Sequence, residues 1–345
     1  MLKEKLTVRI AVIGAGIMGA DHAEIISKDI PGATLQVICD LSEDRAREVA
    51  KRIGAEHVAS DAGAAIRRGD VDAVVIASPD ETHAGLAQVA LELRKPVLCE
   101  KPLAVSAREA LSIVEAEVHL GRQLIQVGFM RRFDPSYADM KAGLASGQIG
   151  QAIMMHNFHR NVAAPANFSG LMAITNSAPH EFDAIRYILD TEITAISAFE
   201  PQTCSLETGK PVVLVLDTAA GHLVTVEVNN NASYGYDVRG ELIGSDGAIM
   251  LASPATTRID KRLSSGTPYP PDWRFRFREA YRLQNQAWVN SINTGIPVTH
   301  AANAWDGYCA TVVAETGAMA LSTSERCSVD LQERPSLYSR QRAAA

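Results

Sequence analysis

No apolar stretch of the 345-residue chain approaches the ~20 residues that span a bilayer. A membrane-spanning helix is therefore not expected. The opening MLKEKLTVRIAVIG has a basic start, but its apolar run leads into glycines with no small-residue cleavage site, so it reads as mature protein rather than a signal peptide. Cysteine is scarce. There are five, Cys39, Cys99, Cys204, Cys309 and Cys327, an odd number, widely spaced and without a C-x-x-C pair. That pattern argues against a disulfide framework or a zinc knuckle and for reduced thiols in the cytoplasm. Basic residues are outnumbered, 33 to 40, and the net charge is −7. The chain thus lacks the basic footprint that nucleic acid requires, and an anionic membrane surface would not attract it. There is no internal repeat and no low-complexity segment beyond the tail Arg342–Ala345.

What is present fits a globular protein of two domains, at about 100–200 residues each. Hydrophobic residues make up 47% and charged residues 21%, both ordinary. In the first third, short apolar runs alternate with helical patterns. Strands are expected at 8–13, 35–40, 73–77, 96–100 and 123–129. Helices are expected at 19–28, 42–53 (capped by Ser42), 81–94 and from Ser106 to about His119. Fully apolar strands separated by helices indicate a parallel sheet covered on both faces, a doubly wound α/β domain. By about residue 150 the pattern changes. Strands at 151–160, 193–199, 211–217, 223–229, 237–244 and 248–251 follow one another with a single helix, 179–189, among them. Helices near 276–293 and 301–322 close the chain, and 263–272 is a loop. The second domain is therefore α+β with a large, mostly antiparallel sheet. The division is set at residues 1–128 and 129–345.

The first strand runs into Gly14-Ala15-Gly16-Ile17-Met18-Gly19, a G-x-G-x-x-G loop between a strand and a helix. Gly14 makes the tight turn, Gly16 lets backbone approach a pyrophosphate, and Gly19 lets helix pack on sheet. The helix end, through Ile17 and Met18, offers N–H groups to the phosphates. The second strand ends in Asp40, about 20 residues on, where a carboxylate binds the ribose 2′-hydroxyl of NAD and repels a 2′-phosphate. NAD is favoured over NADP, with Arg45 and Arg47 near enough to keep dual use open. The strand ending at Ser78 and Pro79 opens at the same sheet edge. His83 after it has two readings, a helix N-terminal cap or cofactor-contacting residue and a surface histidine.

Several stretches together resemble the glucose–fructose oxidoreductase/inositol dehydrogenase family. They are the glycine loop, ASPDETHAGLA (77–87), CEKPLA (99–104), GFMRRFDPSY (128–137), HEFDAIRYIL (180–189), YGYDVRGELIGSDG (234–247) and NAWDGYCA (303–310). GFMRRFDPSY, HRN (159–161) and YGYDVR look most like the bacterial inositol dehydrogenases. The resemblance implies that Lys101 of Glu100-Lys101-Pro102 lies at the catalytic site, holding and polarising the substrate oxygen. It implies that His180 takes the hydroxyl proton while hydride leaves the same carbon for nicotinamide. An imidazole suits that task, and a lysine beside a cationic nicotinamide should ionise more weakly. Glu100 is read as an anchor of the turn or of the cofactor. A homotetramer formed through the second-domain sheet is also implied.

One departure stands out. The inositol dehydrogenases of this resemblance usually carry an aspartate four residues before the histidine, and here that position is Asn176. Residues four apart share a helix face, so Asn176 and His180 are expected to meet one ligand, with His180 the weaker base for lack of a carboxylate. A different polyol or sugar, a sluggish or non-dehydrogenase member, and a deliberate replacement all fit. Asp183 is read as a residue that orients the imidazole.

Met130 and Arg131 resemble positions near substrate and nicotinamide, the alternative being a solvated pair Arg131–Arg132. His156 and His159, three apart on a strand, point to opposite faces and cannot chelate together, so no metal is expected. His159 and Asn157 share a face that could line the pocket, and Tyr236 with Tyr234 shares a strand face, with packing as the alternative. Trp273 and Arg274 fall in a loop, while Trp288 and Trp305 read as core. The expected activity is NAD-dependent oxidation of a ring hydroxyl of a cyclitol, with myo-inositol to the 2-ketone first. Another inositol isomer such as scyllo-inositol, a pyranose oxidised at its anomeric carbon, and a catalytically weak NAD-binding regulator are the alternatives.

Overall fold

The computed structural model describes residues 7–164, 168–202, 209–252 and 257–339. Cys204, the first residues of MLKEKL and the tail Arg342–Ala345 lie outside the described residues. The chain forms two compact units. One takes the residues up to Met130 together with Glu279–Thr311 and the segment from Gln332; the other takes Arg131–Arg278 and Val312–Leu331.

In chain order the elements are β1 (Val8–Ile13), α1 (Ile17–Asp29), β2 (Ala33–Cys39), α2 (Glu43–Ile53), β3 (His57–Ala59), α3 (Ala62–Arg67), β4 (Ala73–Ile76), α4 (His83–Glu92), β5 (Val97–Cys99), α5 (Ala107–Leu120) and β6 (Ile125–Val127). They continue with α6 (Pro135–Ala145), β7 (Ala152–Arg160), α7 (Gly170–Met172), α8 (Pro179–Leu189), β8 (Ile193–Phe199), β9 (Val212–Thr218), β10 (Leu223–Asn229), β11 (Asp237–Gly244) and β12 (Gly247–Met250). The chain then runs through β13 (Ile259–Lys261), β14 (Ser264–Gly266), α9 (Trp273–Thr294), β15 (Ala302–Asn303), α10 (Ala304–Thr323) and β16 (Cys327–Ser328).

The first unit is a seven-stranded sheet in the order β15-β6-β5-β4-β1-β2-β3. All its pairings are parallel except the short antiparallel edge β15. Its central strands are apolar on both faces, and Ile10, Val12, Val74, Val75, Ile76, Val97 and Leu98 are fully buried. Burial of each such side chain stabilises by about 1.5–3 kcal/mol. The helices start where short polar side chains can take an unpaired N–H. Ser42 accepts from Arg45 N, Asp61 from Ala64 N and Ser106 from Glu109 N.

The second unit is a seven-stranded sheet in the order β12-β11-β7-β10-β9-β8-β16, antiparallel throughout except for the pair β7/β10. Its strands alternate in burial; on β7, Met155, Asn157 and His159 are buried and their neighbours less so. Helix α8 is buried along its whole length.

Several expectations are corrected. The expected helix 81–94 is a 3-10 turn, Asp80–Thr82, followed by α4, which ends at Glu92. The expected loop 263–272 begins inside a hairpin, β13/β14, whose turn residues Arg262 and Leu263 hold φ of 50° and 62°. A primed hairpin turn ordinarily shows itself by Asn-Gly or a similar pair, and Arg-Leu hides it. Tyr234 and Tyr236 precede β11 rather than sharing one of its faces; Tyr234 is 48% exposed and Tyr236 is buried. Trp273 opens α9 rather than lying in a loop. Short β3 and α3, and α6 behind its cap Asp134 and first-turn Pro135, were not expected. Trp288 and Trp305 are core, as expected. Cys39, Cys99 and Cys309 are buried and Cys327 is half-buried, none of them in a disulfide. No described helix is long and apolar enough to cross a membrane.

A buried carboxyl ties down the end of the described chain. Glu117 accepts from Leu124 N, from Ile125 N (2.7 Å) and from the Tyr338 hydroxyl (2.6 Å). Burial pushes its pKa up to about 7 despite these donors. A carboxyl with a raised folded-state pKa favours the fold most below its unfolded value, and that contribution is lost as pH rises through the folded value. Glu117→Gln keeps acceptor and donor without titrating. The melting temperature of the variant relative to wild type should therefore climb between about pH 5 and pH 8. A constant difference across that range counts against the assignment.

Candidate active site

The sheet order of the first unit reverses between β1 and β4, and ligands of doubly wound sheets bind at such a point. Gly14 leaves β1 there with φ +100°, and a Cβ on it would stand 2.3 Å from Ala77 O. A Cβ on Gly19 would stand 1.9 Å from Gly14 O, so turn and helix touch backbone to backbone. Gly16 differs. A Cβ there would meet nothing within 4 Å, so Gly16 leaves open space above the helix start. Gly16 is also the N-cap of α1, no side chain caps that end, and its first turn holds no acid. Ile17 is exposed and Met18 half-buried. The open glycine and the uncapped helix end suit a pyrophosphate. Asp40, at the end of β2, accepts from Ala15 N (2.8 Å) and Ser42 N (2.9 Å), and Arg45 lies 3.5 Å from it. Its carboxylate thus braces the glycine loop beside the same opening.

The lysine turn follows β5. Glu100 is buried, and its carboxylate accepts from Lys101 N (3.3 Å) and lies 2.8 Å from His22 Nε2. Lys101 is half-buried, and the Lys101–Pro102 peptide is cis. His83 is the first residue of α4 and is fully buried. Its Nδ1 faces Pro102 O at 2.7 Å and its Nε2 faces Ser78 O at 2.9 Å. Both partners are carbonyls, so both ring nitrogens donate. Burial disfavours the charged ring, but Cys99 and the two carbonyls push its pKa up to about 10. His83 is thus not the N-cap of α4, a place taken by Thr82. It is an internal brace between the ends of β4 and β5 and is not on the surface. Ser78 and Pro79 sit in the turn it braces, with Ser78 Oγ 2.6 Å from Thr82 Oγ1.

The second unit gathers a buried polar group at one end of β7. His159 Nδ1 lies 3.2 Å from Glu181 Oε1, and Arg131 Nη1 donates to the same oxygen. The Arg131 guanidinium also stands 5.6 Å from the ring centres of Tyr137 and Phe277. The His159 ring is 6.3 Å from that of His180 and meets Tyr236 edge-on at 6.2 Å. Burial alone would raise the Glu181 carboxyl, but Arg131 and His159 hold it below its ordinary value. Burial pushes Tyr236 up to about 12, so it stays a neutral hydroxyl at neutral pH. Asn157 is buried one residue pair along β7, and neither of its amide atoms has a hydrogen-bond partner. Met130 is buried at the head of the 3-10 turn Met130–Phe133.

Arg131 and Arg132 are not a solvated pair, since both are buried. Arg132 grips Asp183 through Nε at 2.9 Å and Nη2 at 2.5 Å. Asn176, half-buried, lies in a π-helical turn, Ala173–Ser177, ahead of α8. The four-residue spacing to His180 therefore does not carry the face-sharing of an uninterrupted α-helix. His156 bonds Thr225 across the sheet (2.7 Å). Among the described residues no group of three or more His, Cys, Asp or Glu could hold a metal. Glu181, His22 and Tyr137 were missed in the sequence. Glu181 adjoins His180 and His22 lies three residues past Gly19, but neither spacing reveals a partner far along the chain.

A model of an NAD-binding Rossmann oxidoreductase family matches residues 8–129, and one of the GFO/IDH/MocA C-terminal domain matches 137–250. The chain belongs to the GFO/IDH/MocA oxidoreductase family. Relatives in this family include inositol 2-dehydrogenase 1 of Saccharopolyspora erythraea, 45% identical over 96% of this chain and 99% of that one. The inositol 2-dehydrogenase of Mycolicibacterium smegmatis is 39% identical over 95% and 98%. Among solved structures, the myo-inositol dehydrogenase of Lactobacillus casei in complex with NAD(H) and myo-inositol superposes with a TM-score of 0.92. It is 29% identical, covering 97% of this chain and 100% of that one. A GFO/IDH/MocA fold of two domains, one of them an NAD-binding Rossmann domain, is thus established.

Three outcomes are expected. Gly16→Ala should melt like wild type, because its Cβ meets no protein atom, yet lose at least about tenfold in dinucleotide affinity, ~1.4 kcal/mol, by titration calorimetry. Arg131→Met should destabilise by about 3–5 kcal/mol in denaturant titration, because it strands a buried carboxylate. Arg326→Met breaks an exposed pair with Asp217 and should cost under about 1 kcal/mol.

Proposed function

We propose that the chain is an NAD-dependent dehydrogenase of a cyclitol, oxidising a ring hydroxyl of myo-inositol to the ketone. The observation that carries this reading is near-full-length similarity to inositol 2-dehydrogenases at 36–45% identity, together with Lys101 and His180 in their expected sequence positions. In this reading Gly14, Gly16, Ile17, Met18 and Gly19 receive the pyrophosphate, and Asp40 takes the ribose 2′-hydroxyl. A carboxylate repels a 2′-phosphate, which favours NAD over NADP. When bound, the nicotinamide supplies the hydride acceptor. Lys101 polarises the hydroxyl oxygen, and His180 accepts its proton as general base. His159, Tyr236 and Asn157 offer hydrogen bonds to the other ring hydroxyls, with Met130 and Asn176 at the border and Arg131 acting from behind His159. The apolar side chains of Phe199 and Val213, exposed and opposite one another in the sheet, suit a subunit contact, and a homotetramer is the expected assembly.

A second reading follows from Asn176. A neutral amide in a π-helical turn both donates and accepts, where a carboxylate only accepts, and this favours another hydroxyl arrangement, such as scyllo-inositol or a pyranose. Mixing the protein with NAD and a panel of polyols and sugars, and following NADH absorbance, tests both readings. Turnover of myo-inositol above the rest is expected. A different best substrate establishes the second reading, and binding of NAD with no turnover on any would leave a regulator. Asn176→Asp should raise kcat/KM on myo-inositol about tenfold. An unchanged or lower value means that the asparagine belongs to another specificity.

A further inference from the structure

The lysine turn is gripped at both ends by buried histidines. His83 holds Pro102 O. His22, on α1 one turn past Gly19, holds Glu100, the residue before the lysine. The His22 ring is fully buried, packs edge-on against Tyr281 at 5.7 Å, and has Asn285 Nδ2 at 3.1 Å from its Nδ1. An amide nitrogen only donates, so Nδ1 accepts and the ring proton sits on Nε2. Nε2–H therefore donates to Glu100 Oε1 at 2.8 Å. The second carboxylate oxygen of Glu100 accepts from Lys101 N. The Glu100 carboxylate packs against Gly128, where an added Cβ would stand 2.8 Å from Oε1. A chain of directed hydrogen bonds thus runs from Asn285 through His22 and Glu100 to the backbone of Lys101. Its middle member, His22, sits on α1, the helix whose N-terminus opens at the glycine loop.

We propose that His22 is a positioning residue for Lys101, acting through Glu100, with Asn285 selecting its tautomer. The proposal rests on the reading that Lys101 serves the substrate hydroxyl. It adds that the placement of the amine is set from the dinucleotide-binding helix. His22 touches neither substrate nor cofactor in this assignment. Its whole effect is to keep the Glu100 carboxylate pointed at the lysine backbone.

The test compares the full-length wild type with His22→Phe, which keeps a ring without a donor, and His22→Gln, whose amide reaches the place of Nε2–H. The first readout needs no turnover. Acetylation of Lys101 by limiting acetic anhydride, without cofactor, is measured by mass spectrometry of its peptide relative to exposed Lys51. His22→Phe should raise the relative rate about threefold or more by loosening the turn, and His22→Gln should stay within about twofold of wild type. The second readout is NADH formation with myo-inositol. His22→Phe should lower kcat about tenfold with KM for NAD within about twofold, and His22→Gln should recover most of the loss. If the phenyl variant does not fold, His22→Asn, whose amide reaches only the Nδ1 position, replaces it with the same expectations. Equal labelling of wild type and donor-less variant, or equal losses in both substitutions, overturns the proposal. Labelling as expected in a wild type that turns over no polyol leaves the positioning role standing and removes the dehydrogenase reading.

Discussion

Two glycines touching backbone to backbone set the geometry of the first unit. The helix after β1 can lie against the end of β4 only because Gly14 and Gly19 carry no Cβ; either one would come within 2.3 Å of a carbonyl oxygen. That close approach aims the α1 N-terminus along the sheet edge where the strand order reverses. Asp40 then reaches Ala15 N, and His22 on the same helix reaches Glu100. His83 completes the edge by joining the ends of β4 and β5. Glycine loop, Asp40 and lysine turn are therefore one hydrogen-bonded construction, and a shift of α1 would be felt at each of them.

The second unit solves a different problem. A buried polar group has to be kept rigid inside a sheet–helix interior where ions are costly. Here one carboxylate, Glu181, is shared by Arg131 and His159, and a second, Asp183, takes Arg132. Aromatic rings of Tyr137, Phe277 and Tyr187 line the guanidinium groups. Paired in this way the charges hold His159 in place, and Tyr236 remains a neutral hydroxyl. Asn176 is set apart by its π-helical turn. A departure from the inositol dehydrogenase pattern thus coincides with irregular backbone, a combination common at sites under functional selection.

Much of this was legible in the amino-acid order. Strand β1 and helix α8 were read to the residue, because period-2 and period-3.6 patterns are local properties and each had a clear stop in glycine or a capping residue. The glycine loop and Asp40 were legible for the same reason, their meaning lying in spacing along one chain. So was the family, since its motifs recur along nearly the whole length. Partnerships across long separations were not. Glu181 with Arg131, Asp183 with Arg132, His22 with Glu100 and Asn285, and His83 between two carbonyls join residues as far as 263 positions apart. A side chain's partner depends on which strands pair and which helix faces cover them, and no local pattern encodes that. Hence the surface reading of His83 gave way to a buried one in which packing sets its partners. The π-helical turn and the Arg262-Leu263 hairpin escaped because their backbone is imposed by the surrounding fold against weak local preference. Local chemistry therefore pointed to the family and the reaction class, and packing alone assigned each residue its partner, its burial and its charge.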